Sequence, residues 1–284
     1  MPEKFSDDVK DTTETRLNPW LFFALVFSLS WGFWIPAAIL SASGATLATR
    51  LLHYAGGLMP VAVTVALLYL RQTPAFRSDF WRRATEFKRI GIRWYAVILL
   101  TVPVLTALGA LGDLLLGGKG LELEAAARFV GQPWTLLPFA LFVLVFGPLP
   151  EELAWRGYIL DGLQIKWNAL TSSLILGAAW TVWHLPLFFI QGSYQYGLGL
   201  GTAQFWLYMM DKVPESVLMT WIYNNNRSST LSAIGIHFSI NLVGELFDLS
   251  LRAEEIAILL WIVVATGVAA LWGPERLAKG RVGK

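Results

Sequence analysis

Apolar residues run in long stretches along this chain, broken at near-regular intervals by short clusters of charge, Pro, Gly and Asn. Runs of about 20 apolar residues, at a rise of about 1.5 Å each in a helix, match a hydrocarbon layer roughly 30 Å thick. Eight such runs lie at 19–40, 52–70, 94–116, 134–156, 168–190, 203–223, 231–249 and 255–273. Membrane-spanning β-strands would show about ten residues of alternating polarity; these runs are longer and continuously apolar. The pattern predicts an all-α polytopic transmembrane helical bundle of about eight spans. It forms one integral membrane domain over 1–284, with a polar tail at 1–16.

Two of the runs need separate reading. The first is longer than the roughly 7–15 apolar residues of a signal peptide, so it is expected to stay as an anchor. The sixth is interrupted by Asp211-Lys212-Val213-Pro214-Glu215. Pro214 removes a backbone donor and three charges are costly in lipid. The expectation is a stretch partly at the interface, with a shorter helix from about Pro214 to Tyr223.

Composition agrees with the bilayer. The chain is 55% hydrophobic and 15% charged, against about 25% charged in soluble domains. That excludes a soluble enzyme, a disordered chain and a nucleic-acid-binding domain. With no Cys, disulfides, thiolate metal sites and Cys nucleophiles are excluded. Of the 22 Lys and Arg, all but Arg50, Lys119, Arg128, Lys212 and Arg252 fall on the side of the N-terminus if the runs alternate. An excess of 17 to 5 puts both termini in the cytoplasm. The basic segment 71–93 sets this topology, and its Phe76, Phe80, Trp81 and Phe87 can also lie along an anionic leaflet.

Ionisable residues inside a span are costly and by default mark function. Glu151 and Glu152 close an apolar run that begins near Trp134, and Arg156 follows. Glu152 and Arg156, four apart, can pair on one helix face; Glu151, rotated by about 100°, addresses another space. His184 shares a face with Trp180, and His237 shares one with Asn241; Glu245 lies near the latter. Each has a bland reading as a helix-packing group or a solvated helix end. Together, an imidazole and a carboxylate can activate water, while a second imidazole and an amide can hold an oxyanion. No His-Glu-x-x-His zinc helix is present, although Glu151, His184 and His237 could supply three ligands with an open fourth position.

These motifs, Glu151-Glu152-x-x-x-Arg156, Trp180-x-x-x-His184 and His237-x-x-x-Asn241 in that order, resemble the signatures of the CAAX-protease and bacteriocin-processing (CPBP, Abi) family of intramembrane proteases. The resemblance covers about 134–249, which it marks as a catalytic core. It departs at Trp180, where the family usually has Phe. It implies that Glu151 is the base activating water, that His184 assists it, and that His237 and Asn241 support the oxyanion, with Glu152, Arg156 and Trp180 in supporting roles. It implies a bacterial-type member in the cytoplasmic membrane. It also implies a peptide or membrane-associated protein as substrate, and no required cofactor, with zinc as the alternative. A non-catalytic immunity protein keeping the motifs is the competing reading. A proton-coupled transporter is a weaker one, because no second half repeats the motifs. The active cavity is expected to open to the cytoplasm, because Arg156 is read at the inner end of its span. The Gly- and Tyr-rich segment 191–201 is an outer loop or the border of an access route.

Overall fold

The computed structural model describes residues 17–279; the polar tail at 1–16, with its three basic residues, lies outside the described residues. Its helices, in chain order, are α1 (Pro19–Ala42), α2 (Thr46–Arg71), α3 (Pro74–Thr85) and α4 (Ile92–Leu115). Then come α5 (Glu124–Gly131), α6 (Leu136–Phe146), α7 (Pro148–Ala154), α8 (Leu160–Lys166) and α9 (Ala169–Trp183). The last are α10 (Tyr194–Leu198), α11 (Ala203–Asn225), α12 (Thr230–Leu246) and α13 (Leu251–Trp272). Two short strands, β1 (Leu121–Glu122) and β2 (Asp248–Leu249), pair antiparallel.

Polar side chains start the helices where the sequence offers them. Asn18 accepts from the Trp20 and Leu21 amides with Pro19 beside it, and Asn168, Thr202, Ser229 and Ser250 each cap the helix that follows. Such a cap satisfies an amide that the first turn leaves unpaired, which matters most where water is scarce. Among the described residues, six helical segments are long and apolar enough to cross a membrane, and α12 is a shorter apolar helix. With α11, every one of the eight sequence-read runs corresponds to helix, so the all-α polytopic bundle holds.

Two expectations are corrected. The helix around Pro214 is not shortened: α11 runs unbroken from Ala203 to Asn225 with Pro214 inside it. Its charges neutralise one another, Lys212 Nζ lying 2.8 Å from Asp211 Oδ1 and 3.2 Å from Glu215 Oε2. Lys212 and Glu215 are buried in the bundle instead of facing lipid. The fourth run does not end at Arg156 either. It continues to Lys166 as a 34-residue segment, which breaks at Gly147 and widens into a π-type turn at Trp155–Ile159. Arg156 therefore sits mid-span and fully buried, not at a membrane surface.

The two ends of the bundle are tied separately. At one end Arg83 donates to Asp161 (2.6 Å) and Tyr223 (2.6 Å), Asn224 to the Arg276 carbonyl (2.8 Å), and Arg89 to the Arg227 carbonyl (2.8 Å). At the other, β1 meets β2, Asp113 accepts from Gly120 N (2.8 Å) and Ser250 Oγ (2.6 Å), and Gln191 N donates to Ser41 Oγ (3.1 Å). In each of these ties, connections assigned to one side by alternation of the spans meet partners assigned to that same side.

Candidate active site

Close helix contacts set the depth of the motif residues. Gly177 on α9 lies against α11: a Cβ there would stand 3.0 Å from Val213 Cα and 3.2 Å from the Lys212 carbonyl. Small residues allow backbones to approach this way in membranes. The approach brings Trp180 and His184 beside Tyr208 and Lys212. His184 ends α9, with Leu185-Pro186 following; a proline this close resists continuing the helix.

The fourth span is broken so that its carboxylates start a helix. Gly147 takes φ −131°, ψ −96°, and α7 begins at Pro148. That places Glu151 in the first turn of α7. Gly147 also leaves room for Asn241, whose Nδ2 would lie 2.8 Å from any Cβ at this position.

The adjacent carboxylates then diverge as their rotation requires. Glu152, without exposed surface, accepts from Arg156 Nη1 at 2.9 and 3.1 Å and lies 2.9 Å from His237 Nδ1. Arg156 also donates to Ser216 Oγ (3.1 Å), which donates to the Ser173 carbonyl (2.9 Å). Removing one member of such a buried pair costs about 3–5 kcal/mol, because the survivor is left charged and unpaired. Glu151 instead faces a cavity of about 680 Å³ and accepts from the Trp180 indole N–H at 2.6 Å. Trp180, standing where the resemblance leads one to expect Phe, thus supplies a hydrogen-bond donor to the Glu151 carboxylate.

His184 Nδ1 lies 2.8 Å from the Trp180 carbonyl. A carbonyl only accepts, so Nδ1 carries a proton, and in the neutral ring Nε2 is a bare acceptor. Trp180 therefore holds both Glu151 and His184. Its ring also meets His237 edge-on at 5.0 Å, with the Arg156 and Lys212 cations 5.3 and 5.4 Å from its centroid.

Glu151, His184, His237, Asn241 and Trp180 all line the same cavity, while Glu152 and Arg156 lie behind it. Sequence reasoning missed several neighbours. Lys212, Asp211 and Glu215 line the same space, and the rule that marked the other intramembrane charges would have marked them too. His53, near the start of the second run, also lines it, so all three histidines of the chain do. Glu245 stands at its mouth, and Ser193 to Gln195 border it, which gives the segment 191–201 a place at the opening.

Among the described residues, no three His, Cys, Asp or Glu side chains are grouped so as to hold a metal ion. Glu151, His184 and His237, the alternative zinc set, do not form such a group; each histidine bonds through Nδ1, His237 to Glu152 and His184 to a carbonyl, which leaves both Nε2 atoms uncommitted. The cavity lies towards one end of the bundle. Its walls come from the β1–β2 end of the bundle, including Arg128, Gln195, Asp248 and Glu254. Among the described residues, none of the basic connections at the other end lines it. The expected cytoplasmic opening rested on Arg156 marking an inner surface, and Arg156 is mid-span.

Comparison with known proteins agrees with the motif set. A family model described as type II CAAX prenyl endopeptidase Rce1-like matches residues 133–243, which contain every motif residue. The "CAAX prenyl protease 2" of Methanococcus maripaludis is 29% identical over 255 residues, covering 89% of this chain and 93% of the relative. The ordered motifs, the match on the helices that carry them and a relative aligned over most of the chain make this integral membrane protein similar to Rce1-like CAAX prenyl endopeptidases.

Proposed function

We propose that this protein is an intramembrane endopeptidase in which Glu151 activates a water molecule against a peptide bond. One observation carries the reading: of two adjacent carboxylates, Glu152 is consumed by Arg156 and His237, while Glu151 is left on the cavity wall with the bare Nε2 of His184.

In the proposed reaction the water oxygen attacks the substrate carbonyl carbon as Glu151 accepts a proton. The carbonyl π electrons move onto oxygen, forming a tetrahedral oxyanion. Asn241, on the cavity wall, can donate to that oxyanion through Nδ2. His237 can donate through Nε2 only when both its nitrogens carry protons, a state whose charge Glu152 would balance. Collapse of the oxyanion breaks the C–N bond, and the proton held by Glu151 passes to the departing amine. His184 Nε2 accepts a hydrogen bond from the water and keeps it oriented, without taking its proton. Donors fixed in a dry site act strongly on developing charge, which is the reason to bury such a site.

The substrate class is a peptide or membrane-associated protein. The test is terminal proteomics of membranes carrying the wild-type chain against membranes carrying Glu151→Gln, at matched expression. New termini that depend on Glu151 support the reading and identify what is cut. Identical termini in both would overturn it.

A further inference from the structure

The proposed reaction leaves one buried cation of the cavity wall unused. Lys212 is buried, as is Glu215, and both line the cavity with Asp211. Taking a lysine out of water is costly even when its charge is matched, and packed uncharged residues of similar volume often serve a core as well or better. Mutual neutralisation therefore does not account for the triad, since three uncharged residues would need none.

The position of the ammonium does. Lys212 Nζ lies 5.4 Å from the ring centroid of Trp180 on α9 and 4.5 Å from that of Tyr208, one turn back on α11. Asp211 Oδ1 at 2.8 Å and Glu215 Oε2 at 3.2 Å hold it there. A cation this close to an aromatic ring is attracted to it, most strongly where water is scarce. The two rings belong to different apolar clusters. Trp180 is part of the main core, whereas Tyr208 packs with Phe188, Leu198 and Phe205 in a small second one. Burial within each cluster does not fix one ring against the other; the shared cation does.

Both rings also meet His184. Its imidazole lies 5.7 Å from Tyr208, nearly perpendicular to it, and 5.9 Å from Trp180, whose carbonyl faces Nδ1. Trp180 in turn donates to Glu151. A shift of these rings would therefore disturb the aim of His184 Nε2 and the rotamer of Glu151 together.

The geometry points to Lys212 as a positioning residue for the proposed reaction: its ammonium, fixed by Asp211 and Glu215, braces Trp180 and Tyr208 and so holds His184 and Glu151 in register. The inference rests on the endopeptidase reading.

Two variants remove the cation without stranding a fully buried carboxylate. Lys212→Met with Glu215→Gln leaves only Asp211, which keeps some exposure; adding Asp211→Asn removes the whole triad. Both are reconstituted in nanodiscs beside the wild-type chain and Glu151→Gln, and cleavage of a peptide spanning a Glu151-dependent site is followed. The expected result is a fall in kcat of about 10- to 30-fold, the scale of a desolvated cation–ring attraction. KM stays close to the wild-type value, because Lys212 acts through the rings. The unfolding midpoint stays at the wild-type value or rises, as expected when a buried ion cluster is neutralised as a set. In a Trp180→Phe background the same changes should cost less than in the wild-type chain, since the indole N–H they help to aim is already gone. Wild-type kcat in a folded variant, a raised KM at unchanged kcat, equal losses in the two backgrounds, or failure of both variants to fold would overturn the inference. Cleavage indifferent to Glu151 defeats the endopeptidase reading instead; cleavage that needs Glu151 but not Lys212 defeats this inference alone.

Discussion

Trp180→Phe isolates one atom of the proposed machinery. The substitution removes the indole N–H that lies 2.6 Å from Glu151 Oε2 and keeps an aromatic ring near His237, Arg156 and Lys212. A hydrogen bond to a charged group is worth about 1.5–3 kcal/mol. If that energy holds the carboxylate in its productive rotamer, losing it lowers the productive population by about 10- to 150-fold. The expected result is a fall in kcat of that order with KM little changed, because the bond orients Glu151 without touching substrate. The assay is cleavage of a short peptide spanning a Glu151-dependent site, with the enzyme in nanodiscs. Lost volume is the competing cause. Trp221→Phe controls for it, since Trp221 is also buried, its indole nitrogen has no hydrogen-bond partner among the described residues, and it lies away from the cavity. Wild-type kcat in Trp180→Phe, or an equal loss in Trp221→Phe, would refute the reasoning.

Three further outcomes follow from the same geometry. Arg156→Ala should lower thermal stability by about 3–5 kcal/mol, read as a fall in the unfolding midpoint, with Glu152→Gln in the same chain recovering part of it by removing the stranded charge. Gly147→Ala should cost about 1–3 kcal/mol of overpacking, because its Cβ would press on Asn241 Nδ2 and on the Val143 carbonyl at 3.1 Å. Its effect on turnover should largely vanish in an Asn241→Ala background, the mark of two sites acting through one contact. Turnover should survive prolonged incubation with a strong chelator, since the described His and carboxylates do not group around a common metal position; inactivation that added zinc reverses would contradict this.

The sequence was most informative where physics is local. The pairing of Glu152 with Arg156 follows from four-residue spacing on a helix, and the divergence of Glu151 from the same rotation. The structure shows both, with Glu152 behind the cavity and Glu151 on it. The number of helical runs was legible for the same reason, because length and apolarity are properties of a segment alone. Reading the interrupted run as a shorter helix failed because the cost of its charges was assessed against lipid. In the bundle, Asp211, Lys212 and Glu215 meet one another and the cavity instead.

What the sequence determined by itself was the class of molecule, its helical runs, the grouping of the basic connections at one end and the set of polar residues the membrane must accommodate. Depth, partners and direction were decided only by tertiary structure. Gly177 against Val213 sets how far α9 stands along α11, and this packing carries Trp180 from a motif position to a donor on Glu151. The packed fourth span, running on past Arg156, leaves that residue mid-span and turns the cavity away from the basic end. Helical periodicity fixes which side chains share a face; only the contact of one helix with another fixes which faces meet and at what depth.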